Sequence, residues 1–178
     1  MEPQVILVDK NDQEIGIMPK LLAHQQGQLH RAISVFLFDL EGNWILQQRA
    51  EAKYHSSNLW SNTACSHPLP NEKTKDAAQR RLVEEMGVDC SLEKAFSFIY
   101  RVELDNNLVE HELDHVYIGF TSQIPHPNPD EVSAWRLVDY SILDEDVKEN
   151  PENYTEWFKL VYNKVNLFAS VSKTYLKN

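Results

Sequence analysis

The sequence predicts a single α/β domain in which a mixed β-sheet is covered by helices. Short β-rich runs and longer helical patterns both occur along the chain, and they do not strictly alternate. No repeat, low-complexity tract or linker interrupts the 178 residues. Because this length lies at the upper edge of one ordinary domain, we expect one domain over residues 1–178.

The first third of the chain predicts three β-strands and a loop. Val5–Val8 is a short apolar run. Ile33–Phe38 and Trp44–Gln48 are two further β-rich runs, and the five residues between them include Gly and Asn, which are typical of turns. These two runs predict a β-hairpin. The next segment, Arg49–Asn71, combines Ser, Asn, His and Pro and predicts an irregular loop.

A helix is predicted over Thr74–Met86. Its apolar positions Ala78, Leu82 and Met86 are spaced four residues apart, as on one face of a helix. Gly87 follows them and is typical of a helix end.

A second hairpin is predicted next, from Phe96–Leu104 and Leu108–Phe120 around the turn Asp105–Asn107. Pro125–Pro129 predicts a stiff loop, and Ala134–Val138 predicts a further strand.

Two helices are predicted at the end of the chain. Asp139–Ser141 predicts the cap of a short helix, and a long C-terminal helix is predicted from about Thr155. The apolar residues expected on one side of the long helix are Trp157, Leu160, Val161 and Val165.

Composition excludes several classes of protein. The formal net charge of −10 argues against a nucleic-acid partner, because nucleic-acid-binding domains normally carry a basic excess. The 2 cysteines, Cys65 and Cys90, do not make a disulfide framework at this length. The first ten residues lack the basic region of a signal peptide, and the longest apolar stretch, Ile33–Phe38, is too short to span a bilayer. We therefore expect a cytoplasmic protein with no membrane partner.

Histidine and glutamate residues in three places could hold a metal ion. His24 and His30 precede the first long strand, and His67 lies in the predicted loop. Glu110 and Glu112 are two residues apart in a strand, so both carboxylates point to one face. Imidazole and carboxylate ligands suit Zn²⁺, Mn²⁺ or Mg²⁺, and five of them leave one octahedral position for substrate or water. The alternative is that the histidines are surface residues and the glutamates form the wet face of a strand.

The predicted helix also carries a face that could bind a metal and a phosphate together. Arg81 and Glu85 are four residues apart and share this face, whereas Glu84 lies about 100° further round. A carboxylate there can hold a divalent cation while the guanidinium binds a phosphate. The alternative is a solvated helix joined by ion pairs.

This region resembles the Nudix box, G-x5-E-x7-R-E-U-x-E-E-x-G-U, in which U is a bulky apolar residue. The positions in register are Glu72, Arg80, Leu82, Glu84, Glu85, Gly87 and Val88. Two positions depart from the pattern, with Ser66 in place of the opening Gly and Arg81 in place of the Glu after the Arg. Nudix hydrolases use that acidic cluster to hold Mg²⁺ and activate water, so Arg81 disfavours hydrolysis.

With these departures, the chain resembles the type 1 isopentenyl-diphosphate delta-isomerases, a branch of the Nudix superfamily. The likeness covers roughly residues 3–165 and is carried by His24, His30, Trp60–Leu69, Phe98–Arg101, Val109–Glu112 and Glu156–Phe158, together with the box. It implies a Nudix-like α/β/α sandwich with a core over about residues 28–165, on which the N-terminal strand and the C-terminal helix pack.

The resemblance also implies roles for individual residues. The implied metal ligands are His24, His30, His67, Glu110 and Glu112 for one Mn²⁺, Zn²⁺ or Mg²⁺, and Glu85 for a Mg²⁺ that arrives with the substrate. The implied diphosphate contacts are Lys20, Arg49, Lys53 and Arg81. The implied catalytic residues are Cys65, Glu112, Tyr100 and Trp157.

The implied activity is the interconversion of isopentenyl diphosphate and dimethylallyl diphosphate in isoprenoid biosynthesis. No neighbouring group acidifies the C–H bonds of these molecules, which favours protonation first, through a tertiary carbocation, followed by loss of a proton two carbons away. The implied partner is a small isoprenoid diphosphate, and we expect a monomer or a weak homodimer. Two alternatives remain: a Nudix hydrolase that cleaves a small diphosphate, and a non-catalytic, metal-stabilised binding module.

Overall fold

The chain folds around one large mixed sheet. The computed structural model describes residues 2–53 and 55–176, with their side chains except those of residue 105 and residues 173–176. Within these residues the strands are β1 (Gln4–Val8), β2 (Glu14–Pro19), β3 (His30–Phe38), β4 (Trp44–Arg49), β5 (Trp60–Ser61), β6 (Ala64–Ser66), β7 (Glu93–Leu104), β8 (Leu108–Phe120) and β9 (Val132–Val138). The helices are α1 (Lys20–Gln26), α2 (Thr74–Met86), α3 (Tyr140–Glu149) and α4 (Glu156–Leu176).

Strand β3 is the centre of the sheet. Along one edge it pairs in parallel with β8, from His30 opposite Glu112 to Phe38 opposite Phe120. Its other edge pairs antiparallel with β1, β6 and β4 in turn. The remaining strands extend the sheet, with β7 beside β8, β2 beside β1, and β5 and β9 beside β4. The parallel pairing therefore places residues far apart in the sequence side by side.

Side chains of β3 alternate between the two faces of the sheet, and each face has its own core. On one face Ile33, Val35 and Leu37 belong to a core that includes the apolar side of α2. On the other face Phe36 and Phe38 belong to a core with α3 and α4. The α2 residues in the first core are Ala77, Ala78, Leu82 and Met86, and the α4 residues in the second include Trp157, Phe158, Val161, Tyr162 and Val165.

The α4 face of the sheet also carries polar side chains at one end. His30 and Ser34 lie on this face, because they alternate in step with Phe36. Glu112 pairs with His30, and Cys65 pairs with Ser34, so both share that face. Strand register thus brings two residues predicted to be catalytic beneath α4, from opposite sides of β3.

The predicted fold class is confirmed: the described chain is an α/β domain with a single mixed sheet flanked by helices. Helix α2 has the predicted bounds and ends at Gly87, whose φ of 65° lies in the left-handed region. Asp139 caps α3, since its side chain accepts a hydrogen bond from the Ser141 backbone N–H. No helix in the described part of the chain is long and apolar enough to cross a membrane.

Two of the predictions need correction. The segment Arg49–Asn71, predicted to be irregular, contains β5 and β6, and β6 is what fixes Cys65 in the sheet. Leu160 was expected on the buried side of α4 but is 57% exposed. Its direction lies about 140° round the helix from the centre of the buried face, because each residue turns about 100°. Strand β2 and helix α1 were not predicted.

Candidate active site

A small cavity, partly open to solvent, lies on the α4 face of the sheet. Its lining brings together predicted residues from six separate segments of the chain: Lys20, Arg49, Cys65, His67, Tyr100, Glu110, Glu112 and Trp157. His55 and Ser34 line the same cavity and were not predicted to be site residues.

Two histidines are oriented by hydrogen bonds to the backbone. His24 Nδ1 lies 2.7 Å from the Lys20 carbonyl oxygen, one turn earlier in α1. His30 Nδ1 lies 2.8 Å from the Gln28 carbonyl oxygen. Because a carbonyl can only accept, each Nδ1 carries a proton, and in the neutral form of the imidazole Nε2 keeps its lone pair. This is the tautomer in which Nε2 can bind a metal ion.

Ligand atoms of three predicted residues meet at one point. His30 Nε2 and His67 Nε2 are 3.2 Å apart, and they lie 3.4 Å and 2.8 Å from Glu112 Oε1. Atoms bound to one ion at about 2.1 Å lie about 3 Å apart at neighbouring positions. With His24, these atoms form a group whose members all lie within 4.8 Å of one another.

Glu110 belongs to a second, overlapping group. Its Oε1 lies 3.6 Å from His24 Nε2 and 3.3 Å from His55 Nε2. The ligand atoms of His24, His55 and Glu110 also lie within 4.8 Å of one another. No pattern in the sequence pointed to His55, which lies two residues after Lys53.

This residue set fits a divalent metal ion. Glu110 Oε2 is buried and has no hydrogen-bond partner among the described residues, which is costly for a carboxylate. Burial also holds the pKa of His67 well below its ordinary value, so the imidazole is neutral, as a metal ligand must be. A cation between these groups would give the Glu110 oxygen a partner and would accept the lone pair of the neutral His67 imidazole.

Glu112 is joined to Tyr100 at one end of the cavity. The Tyr100 hydroxyl donates a hydrogen bond of 2.6 Å to Glu112 Oε2. Burial acts to raise the pKa of Glu112, but the hydrogen bond and charge of His30 outweigh it and hold the pKa at about 2. Burial, together with the charge of Glu112, raises the pKa of Tyr100 well above its ordinary value. The pair is therefore a carboxylate that accepts and a neutral phenol that donates.

Cys65 is a protonated thiol beside a positive charge. Burial raises the pKa of the Cys65 thiol to about 12, and the guanidinium of Arg49 opposes this shift. Arg49 Nη1 lies 3.6 Å from the sulfur, within range of a weak hydrogen bond. The thiol thus holds a proton at neutral pH, and a cation beside it can stabilise the thiolate.

Trp157 forms the wall of the cavity that comes from α4. It is 4% exposed, and its indole N–H donates to Asn62 Oδ1 at 3.0 Å. The Asn62 amide in turn donates to the backbone oxygens of Val35 and Ala64. The guanidinium carbon of Arg49 lies 5.3 Å from the centre of the indole ring, which already faces a cation.

The four predicted diphosphate contacts lie in two pairs. Lys20 and Arg49 line the cavity. Loss of water around Lys20 lowers its pKa, while the nearby carboxylates of Glu110 and Glu112 act in the opposite direction. Lys53 and Arg81 do not line the cavity. Both contact the carboxylate of Glu131, a residue just before β9 that was not predicted to belong to the site.

Helix α2 carries Arg81 of the Lys53–Arg81 pair and also contacts the segment that contains His67. Arg81 Nη2 lies 2.9 Å from Glu85 Oε1, as the shared helix face predicted, and Glu85 Oε2 accepts from Gln47 at 2.8 Å. Arg80 binds Glu72 through two hydrogen bonds of 2.7 and 2.8 Å. Its Nη2 also lies 3.5 Å from the His67 carbonyl oxygen, so the box fixes the segment that carries His67.

Comparison with known proteins identifies what this arrangement is similar to. The family model described as the NUDIX domain matches residues 28–158. Isopentenyl-diphosphate Delta-isomerase 2 of Aromatoleum aromaticum is 54% identical over 165 residues, which cover 93% of this chain and 87% of that protein. Isopentenyl-diphosphate Delta-isomerase of Pectobacterium atrosepticum is 50% identical over 162 residues, which cover 91% and 90%.

Solved structures with low sequence identity share the fold. A crystal structure from Deinococcus radiodurans matches with a TM-score of 0.72 at 18% identity and covers 90% of this chain and 98% of that one. The MutT protein of Methanosarcina mazei matches with a TM-score of 0.60 at 14% identity and covers 84% and 96%.

Proposed function

We propose the chemistry of the site from one premise: the chain belongs to the Nudix family and, within it, to the isopentenyl-diphosphate delta-isomerases. It therefore interconverts isopentenyl diphosphate and dimethylallyl diphosphate. The proposal concerns which residues carry out this reaction. The observation that supports it most directly is that one cavity gathers a thiol, a carboxylate hydrogen-bonded to a phenol, and the indole wall.

In the proposed mechanism, Cys65 and Glu112 are the two proton carriers. One group adds a proton to the terminal carbon of the double bond, and the other removes a proton two carbons away. Strands on opposite sides of β3 carry the two groups, which supports this assignment because a flat five-carbon fragment could lie between them. The reaction is reversible, so each group acts as acid in one direction and as base in the other. Tyr100 orients Glu112 and can relay its proton.

The metal ligands proposed are the three histidines and two glutamates implied by the resemblance, for Mn²⁺, Zn²⁺ or Mg²⁺. When bound, such an ion supplies positive charge that fixes the direction and the acidity of a coordinated carboxylate. Glu112 would then be both ligand and proton carrier. His55, whose Nε2 lies 3.3 Å from Glu110 Oε1, would hold Glu110 in place.

The diphosphate is proposed to bind Lys20, Arg49, Lys53 and Arg81, with a Mg²⁺ held by Glu85. Four cationic side chains and one Mg²⁺ supply enough positive charge to bind a substrate with about three negative charges. Arg81 stands where Nudix hydrolases have a glutamate, and its contact with Glu85 puts a cation beside the proposed Mg²⁺ ligand. This arrangement favours binding of a diphosphate over activation of water for its hydrolysis.

The reaction can be tested by incubating the protein with isopentenyl diphosphate in deuterated water. Exchangeable proton carriers predict dimethylallyl diphosphate that contains deuterium, detected by NMR or mass spectrometry. Release of orthophosphate would instead indicate the hydrolase alternative. A product formed without deuterium would contradict two carriers that exchange with solvent.

Replacing Arg81 tests the diphosphate site. Arg81→Ala is expected to weaken the free energy of substrate binding by about 1.5–3 kcal/mol, which is the contribution of a charge-assisted hydrogen bond to phosphate. It should also slow turnover. Arg81→Glu should be worse, because it places a negative charge beside the diphosphate. Steady-state kinetics would measure both changes, with Lys148→Ala, which removes an exposed cation on α3, as the control. Wild-type kinetics in Arg81→Glu would remove the reason for preferring isomerisation to hydrolysis.

Replacing Trp157 tests whether the indole ring stabilises a cation. Trp157→Phe keeps a π face and should retain measurable turnover, whereas Trp157→Ala should lose far more, since a desolvated cation–π contact is worth about 2 kcal/mol. Thermal unfolding must be measured in parallel, because removing a buried indole also leaves a cavity that costs about 3–5 kcal/mol. If the two variants had equal turnover at a temperature where both are folded, the ring would have no role in the reaction.

A further inference from the structure

One carboxylate links Lys53 and Arg81, and the mechanism above does not use it. Glu131 Oε2 accepts a hydrogen bond from Lys53 Nζ and another, of 3.0 Å, from Arg81 Nη2. A single oxygen therefore serves both cations, as an oxygen of a phosphate group could. The Glu131 side chain is 23% exposed, so this contact is largely shielded from water.

Glu131 is negatively charged in this position. Loss of water acts to raise the pKa of its carboxyl group, but the hydrogen bond from Lys53 and the charges of Lys53 and Arg81 hold the pKa below its ordinary value. A negative charge thus lies where the proposed substrate would bring its own.

The backbone of Glu131 is held by two hydrogen bonds and by the strand that follows it. Its N–H donates to the Asn128 carbonyl at 3.0 Å, and its carbonyl accepts from the Ala50 N–H at 3.0 Å. The next residue, Val132, begins β9 and pairs with Arg49. Release of the two cations therefore needs only a change of side-chain rotamer and no movement of the loop.

We propose that Glu131 is an internal anion that occupies the Lys53–Arg81 pair until the diphosphate group displaces it. This inference rests on the proposed function, because it requires both cations to bind the diphosphate. Before binding, the carboxylate pairs with Lys53 and is one of three carboxylates around Arg81, together with Glu84 and Glu85, in a partly dry position. Every phosphate ligand must displace the same carboxylate, so its apparent affinity is reduced by the fraction of molecules in which the pair is free.

The test is isothermal titration of the full chain with inorganic pyrophosphate and, separately, with inorganic phosphate, each in the presence of a constant Mg²⁺ concentration and again without Mg²⁺. Glu131→Gln keeps the shape of the side chain and removes its charge. It is expected to bind both anions more tightly, each by a similar factor of about ten. Glu131→Asp keeps the charge on a shorter side chain. Its affinity for both anions should lie between those of the wild type and Glu131→Gln.

Glu84→Gln is the matched control. Glu84 also contacts Arg81, at 2.9 Å, but its side chain is 44% exposed and it does not join Arg81 to Lys53. Its removal should change the affinity for pyrophosphate less than about twofold, because an exposed ion pair is screened by water.

Two results would overturn the proposal. Unchanged or weaker binding in Glu131→Gln, at a temperature where it is folded, would mean that Glu131 does not compete with the ligand. Weaker binding of pyrophosphate only when Mg²⁺ is present would make Glu131 a Mg²⁺ ligand instead. Parallel titrations of Lys53→Ala and Arg81→Ala distinguish failure of the Glu131 proposal from failure of the proposed diphosphate site. If those variants bind pyrophosphate as tightly as the wild type, the two cations do not contact the diphosphate at all.

Discussion

Replacing Cys65 by alanine is expected to lower turnover on the order of 10³-fold or more, while the protein still binds diphosphate. The thiol is one of the two proposed proton carriers, and alanine can neither give nor take a proton. The lost volume is small and no charge is left unpaired, so the fold should survive. Deuterium incorporation from deuterated water, followed by mass spectrometry, would measure the remaining rate.

The second cysteine provides the control for this prediction. Cys90 is half-buried, packs against the core on the α2 face, and does not line the cavity. Cys90→Ala should therefore retain the wild-type rate. Glu112→Gln is expected to match the loss in Cys65→Ala, because it removes the other carrier. A Cys65→Ala protein that isomerises at nearly the wild-type rate would overturn the mechanism.

Replacing His67 by alanine is expected to abolish activity and to remove roughly one equivalent of bound metal per chain. His67 Nε2 lies 2.8 Å from Glu112 Oε1 and 3.2 Å from His30 Nε2, so it holds the centre of the proposed ligand set. Metal content after dialysis, measured by mass spectrometry, is a readout that does not depend on turnover. A second readout is thermal unfolding, since added metal should stabilise the wild type and not the variant.

His126→Ala is the matched control for the metal site. His126 is exposed and does not belong to either group of candidate metal ligands in the described chain. It should keep both the metal and the activity. If His67→Ala retained a full equivalent of metal and the wild-type rate, the assignment of the five ligands would be wrong.

The parts of the fold that the sequence predicted are those with a strong local pattern. The apolar spacing and Gly87 were sufficient for α2, and the turn residues between apolar runs were sufficient for both hairpins. Strand β2 was missed because it lies at the edge of the sheet, pairs with β1 alone among the described strands, and exposes Ile15 and Ile17. Helix α1 has 7 residues, which is too short for a period to be visible.

The site could be predicted only in part, for a different reason. Spacing along the chain cannot show that His24, His67 and Glu112 meet, because strand pairing and helix packing bring them together; only the resemblance to a family implied it. His55 could not be distinguished from a surface histidine, since no pattern marks its burial. Glu131 follows a run of Asn, Pro and Asp, so it looked like one more polar residue of a loop.

The parallel pairing of β3 with β8 has a consequence for the order of folding. This pairing joins residue 30 to residue 112 and closes a loop of roughly 80 residues. The chain must lose the conformational entropy of that loop before the contacts between the strands form. The proposed ligands come from α1, β3, the segment after β6, and β8, on both sides of that closure. The hairpins and α2 involve only near neighbours and can form earlier. We therefore expect the proposed metal site to be completed late in folding, so that an ion would bind to a nearly finished fold.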